Sequence, residues 1–144
     1  MELFRLDSVA SGLAERFRQA PSSKRREAVH IACEQAVAAA GLTAPEVSEA
    51  LAVLGGTATA DVSLHKRLES LAAKFDDEYF ELDEDGGAVQ KQQALHYFSK
   101  ARASSALAFA LATNDTQIHE AIYESISALD EPGELIRLLE QVLG

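Results

Sequence analysis

A chain of 144 residues with 13 basic and 23 acidic side chains carries a formal charge of −10. That balance excludes a general nucleic-acid or anionic-membrane binder, since both need a cationic face, and favours basic partners. The length suits one helical domain over residues 1–144, in which folding hides roughly two thirds of the unfolded surface. Cys33 is the only cysteine, so no internal disulfide can form, and a lone thiol on an apolar helix face suits a reducing compartment. The opening stretch MELFRLDSVASG has no basic segment followed by an apolar one, so no secretory signal is read and the expected location is the cytoplasm.

Apolar positions Leu3, Leu6, Ala10, Leu13 and Phe17 fall three or four apart, which predicts one amphipathic helix ended by Pro21. Ser22 or Ser23 can cap a second helix running to about Ala40, with Val29, Ala32, Cys33, Ala36 and Val37 inward and Gly41 as its stop. Lys24, Arg25 and Arg26 place three cations where the helix dipole disfavours them, which suggests contact with an acid. Thr43 and Glu46 have capping-box spacing around Pro45 and open a short helix with Val47, Ala50, Leu51 and Leu54 inward, closed by Gly55 and Gly56. After the small-residue linker 57–60, Asp61 or Thr59 caps a helix whose stripe is Leu64, Leu68, Leu71, Phe75, Tyr79 and Leu82. Asp83, Glu84, Asp85, Gly86 and Gly87 turn into the longest helix, Ala88 to Thr113.

That helix organises the rest. Its first half has an ordinary inward face of Ala94, Leu95, Phe98 and Ala101, whereas from Ala103 to Leu111 apolar residues occupy every side, as in a buried helix. The run is too short and alanine-rich for a membrane span. Asn114 and Asp115 break it. A further helix turns Ile118, Ala121, Ile122, Ser125 and Leu129 inward, and Asp130 caps a last one with Pro132 in its first turn and Leu135, Leu138, Leu139 and Val142 as its stripe. No segment alternates with period two, so the expected fold is all-α: about seven helices packed around a long buried central helix, as an irregular bundle or an irregular solenoid.

Chemical motifs are incomplete. Glu27 and His30 form one Glu-x-x-His unit, but a di-iron bundle needs two such units and further glutamates. His119-Glu120 begins like a zinc-protease motif, with Tyr123 where the second histidine must stand. Glu81, Asp83, Asp85 and Gly86 imitate the first half of a calcium loop, but Gln92 replaces the bidentate glutamate at its end. Cys33 lies among alanines and valines, where a thiol is inert packing. No nucleophile elbow, phosphate loop or dinucleotide fingerprint occurs. No cofactor, metal or catalytic residue is therefore expected, and Glu27, His30, His96 and Tyr97 are the residues to test should a site lie within the bundle.

Charge distribution remains. Asp76, Asp77, Glu78, Glu81, Asp83, Glu84 and Asp85 place seven carboxylates in ten residues, at a helix C-terminus where the dipole opposes anions. Phe80 lies about 140° around the helix from the Phe75 stripe, beside Asp77 and Glu81. An aromatic ring among carboxylates has the make-up of an interface anchor with a polar rim. Its alternative is a ring packed on a second helix beside solvated acids.

Small size, acidity, an all-helical pattern and this patch, together with the segments FSKARASSALAFAL and EAIYESI, resemble the immunity proteins that bacteria encode beside polymorphic or contact-delivered toxins. The resemblance implies tight binding to one cognate toxin, often a basic nuclease, whose active site is blocked or whose motion is frozen. The competing readings are a generic helical adaptor and an enzyme or ligand-binding bundle with a hidden site.

Overall fold

A computed structural model describes residues 3–84, 86–112 and 115–144, the side chain of Asp115 excepted. Its elements are α1 (Arg5–Val9), α2 (Ser11–Gln19), α3 (Ser22–Ala40), α4 (Pro45–Leu54), α5 (Leu64–Glu84), α6 (Ala88–Ala110), a 3-10 turn (Asp115–Gln117), α7 (His119–Ala128) and α8 (Gly133–Leu143). The fold is all-α, with no strand among the described residues. Thr113 and Asn114, the expected end of the central helix and the start of its break, lie outside them.

The described residues form eight α-helices rather than seven because the first amphipathic segment divides at Ala10, whose backbone leaves the helical region at φ −153°, ψ 73°. Asp7 explains the break. Its carboxylate accepts the Phe4 N–H at 2.7 Å and is paired with Arg18 of α2, which folds α1 back along its neighbour. Leu6, Leu13 and Phe17 enter the core as the spacing predicts, but Leu3 precedes the helix and stays exposed.

Several ends differ from the sequence reading. Pro45 takes the first helical position of α4, so Ala44 becomes the cap residue and Thr43 stands one residue too early for a capping box with Glu46. Pro21 and Pro132 occupy the positions preceding α3 and α8, without side-chain caps from Ser22, Ser23 or Asp130. Asp61 instead closes a turn ahead of α5, accepting the Ser63 N–H at 2.8 Å. Gly41 does stop α3: at φ 68° it lets Leu42 N–H reach the Val37 carbonyl, a left-handed geometry that costs glycine little.

The second half of α6 is the axis of the core. Ala101, Ala103, Ser104, Ala106, Leu107, Ala108 and Ala110 are buried on all sides, against α3, α5 and α7. Small side chains let those helices close in, so the loss of large apolar groups is offset by tight packing. The first half of α6 is different, because residues 86–93 are exposed throughout and only Ala94 is buried before Ala101. Leu95, expected inward, is 60 % exposed, since the α5-facing line of α6 runs through Ala94, Tyr97 and Phe98. In α8 the buried line is Leu135, Leu139 and Leu143, which leaves Leu138 at the exposed margin. Apart from Ala72, Ala94 and Ala101, the buried apolar residues from α1 to α8 form one hydrophobic cluster, and no described helix is long and apolar enough to cross a membrane.

Candidate functional site

Helix α5 carries its inward stripe as the spacing predicts, with Leu64, Leu68 and Ala72 buried and Leu71, Phe75, Tyr79 and Leu82 half-buried. Towards its C-terminal end the packing becomes aromatic. Phe75 stacks on Tyr97 with centroids 6.2 Å apart, and Tyr79 meets Phe98 at 5.5 Å. These rings pack the C-terminal half of α5 on the middle of α6 as a helical hairpin.

The opposite face of that hairpin holds the predicted acidic surface. Asp77, Phe80, Glu81, Asp83 and Glu84 are exposed and Glu78 is half-buried; Asp85 lies outside the described residues. Phe80 is 60 % exposed, yet its ring is steadied by an edge contact with Tyr79 at 5.2 Å. Among the described residues it makes no ring contact with a second helix. Among the described residues, Asp77, Glu78, Glu81, Asp83 and Glu84 enter no ion pair, so their charges project unneutralised. Asp76 is different, because Arg102 of α6 binds both its oxygens, at 3.1 and 3.0 Å, and draws it into the protein.

Behind this pair runs a charge network that the sequence reading missed. Arg102 also donates to Glu124 of α7 at 3.0 Å, and Glu124, only 3 % exposed, faces Arg5 of α1 at 3.3 Å. Arg5 Nε donates to Glu120 at 2.8 Å while its guanidinium lies 4.3 Å from the Tyr123 ring centre. Hydrogen bonding to Glu120 holds the Arg5 pKa above its ordinary value. A carboxylate this deep is tolerated only when paired, and the chain Asp76–Arg102–Glu124–Arg5–Glu120 ties α5, α6, α7 and α1 together. The available signal was Arg102 itself, a single cation opening an apolar run.

A second cluster braces the N-terminus. The Phe4 ring stacks on His119 at 3.7 Å, and the Arg18 guanidinium sits 4.5 Å from the same Phe4 ring centre. The hydrogen bond from Arg18, followed by that from the Phe4 N–H, holds the Asp7 carboxyl below its ordinary pKa. Arg25, for which an acidic contact was expected, instead donates from Nε to the Phe17 carbonyl at 2.8 Å and from its terminal nitrogen to Arg18 O, closing α2. Lys24 does meet an acid, its neighbour Glu27, at 3.9 Å.

The residues singled out for hidden chemistry fall into separate environments. Glu27 faces Lys24, whereas His30 lies 3.5 Å from Glu34 on the next turn. Tyr97 is committed to Phe75, and His96 lines a cleft of 440 Å³ with Leu95, Asp130 and Glu131. Glu81 and Asp83 stand within α5, where residues two apart point in divergent directions, and Gln92 stands within α6. No group of three or more His, Cys, Asp or Glu able to hold a metal occurs among the described residues. Burial pushes the Cys33 thiol up to about 12, which leaves it protonated at neutral pH.

Compared with known protein families, curated proteins and solved structures, the chain has no match in any of the three.

Proposed function

We propose that the protein is a non-enzymatic binding domain that captures a basic protein partner with the exposed face of the α5–α6 hairpin, and that it neutralises a cognate bacterial toxin in the manner of an immunity protein. The observation that carries the reading is Phe80: an aromatic ring 60 % exposed and held in place by Tyr79, beside Asp77 and Glu81, which enter no ion pair among the described residues. Exposing such a ring is unfavourable in the free protein. Set in a partner's pocket it becomes an anchor, and the surrounding acids discriminate for a cationic surface. Val89, 66 % exposed at the start of α6, extends the apolar part beyond the Gly86–Gly87 turn. Asp77, Glu81, Asp83 and Glu84 supply the rim, while Asp76 and Glu78 stand behind it.

Support from the rest of the fold is indirect but physical. The charge network and ring contacts fix α5 on α6, so a partner meets a preformed surface and little ordering entropy opposes association. The test is capture from a lysate of the source organism, using the wild type and an Asp77→Lys, Phe80→Ala, Glu81→Lys variant side by side. A basic protein retained by the wild type alone, which arrests growth when expressed by itself and is tolerated when co-expressed with this chain, is the expected result. Equal retention by the triple variant would move the recognition surface elsewhere, and a retained protein without toxicity would remove the toxin reading.

A further inference from the structure

The outward face of α5 is longer than the acidic patch and has a regular order. Lys66, Ser70, Ala73, Asp77, Phe80 and Glu84 are all exposed and fall alternately four and three residues apart, the spacing of a helix-pairing seam. They lie opposite the stripe Leu64, Leu68, Phe75 and Leu82 that packs inward, and stand exposed among the described residues. Grooves of 510 and 360 Å³ flank the ridge, one lined by Ser63, Lys66 and Lys74, the other by Glu69, Ala73 and Asp76. Val62, fully exposed, stands just before the helix at the basic end. The seam is thus cationic at its start, small at its middle, and anionic with one aromatic ring at its end.

We propose that this face is the contact between two copies of the chain, packed antiparallel about a two-fold axis beside Ser70 and Ala73. The charge order selects both occupant and direction. With Ser70 opposite the partner's Ala73, Lys66 comes opposite the partner's Asp77, and Ser63 with Val62 comes opposite the partner's Phe80; the two-fold repeats each layer. The Lys66–Asp77 layer and its two-fold repeat then join opposite signs, with Glu84 beyond the end of the paired helices, whereas a parallel pairing would set Lys66 on lysine and Asp77 on aspartate. Two small residues at the axis let the backbones approach closely, and the exposed ring of each copy gains an apolar neighbour at the far end. The contact spans about 26 Å of helix. Because most of its layers are polar, the association is weak and salt-sensitive.

The seam shares Asp77 and Phe80 with the surface assigned to the toxin, so self-association and partner capture exclude each other. The inference does not rest on that reading, because Lys66 lies outside the hairpin end. The experiment is sedimentation equilibrium of the whole protein at low ionic strength, up to millimolar concentration. The wild type is expected to move towards twice the chain mass and to return to monomer in high salt. Lys66→Asp and Asp77→Lys, each at an exposed position and checked for helical circular dichroism, should each raise the dissociation constant by roughly a hundredfold, since each sets two like-charge layers face to face. The double variant, and a mixture of the two single variants, should recover association. A wild type that stays monomeric, or single variants that associate as it does, would overturn the proposal. Loss of association with unaltered partner capture by Lys66→Asp separates the two readings.

Discussion

Arg102 and Glu124 meet at 3.0 Å in the interior, where α6 crosses α7, and the same guanidinium reaches Asp76 on α5. One cation thus holds three helices, including the one that carries the candidate binding surface. Arg102→Ala leaves the buried Glu124 with Arg5 alone, and is expected to cost about 3 kcal/mol, as removal of one partner of a buried pair does. Urea unfolding of the purified variant measures it.

Packing of the central helix leads to a second expectation. Ala106 and Ala108 are buried where α6 is surrounded, so Ala106→Leu or Ala108→Leu overpacks the contact and should cost about 1 to 3 kcal/mol. Thermal melting followed by circular dichroism reads the loss; unchanged melting for both would deny the tight contact.

Acid should act through Asp7. Its carboxyl is held below the ordinary value of 3.8 by Arg18 and the Phe4 N–H. A depressed carboxylate stabilises the fold above its unfolded pKa, and the contribution is lost as pH falls through the lower folded value. Asp7→Asn should therefore be less stable than the wild type at neutral pH and converge on it in strong acid. A constant difference across that range would mean the pair is not charge-dependent.

Cys33 should react with a disulfide reagent only after unfolding, because burial raises its pKa to about 12 and closes access. Rapid labelling of the native protein at neutral pH would contradict the placement of α3.

Most of the fold is legible in the sequence because helical period and small-residue runs report burial directly: the α5 stripe, the α6 core half and the Gly41 stop all stand as read. What periodicity cannot show is long-range pairing. The break at Ala10 follows from Asp7 meeting Arg18, and the outward turn of Leu95 from the line along which α5 lies on α6. Within the candidate surface, the helical angle placed Phe80 outward, as it stands. Asp76 counted as one acid among seven, because only a folded chain shows that Arg102, distant in sequence, takes its charge.

The central claim is that Phe80 anchors a partner while the acids around it hasten encounter, and the two roles separate in time. Binding kinetics of the captured partner against immobilised variants test it most directly. Phe80→Ala should mainly speed dissociation, by about 30-fold for a ~2 kcal/mol anchor, whereas Asp77→Lys with Glu81→Lys should mainly slow association and flatten its salt dependence. Rate constants for both variants that coincide with those of the wild type would contradict the account.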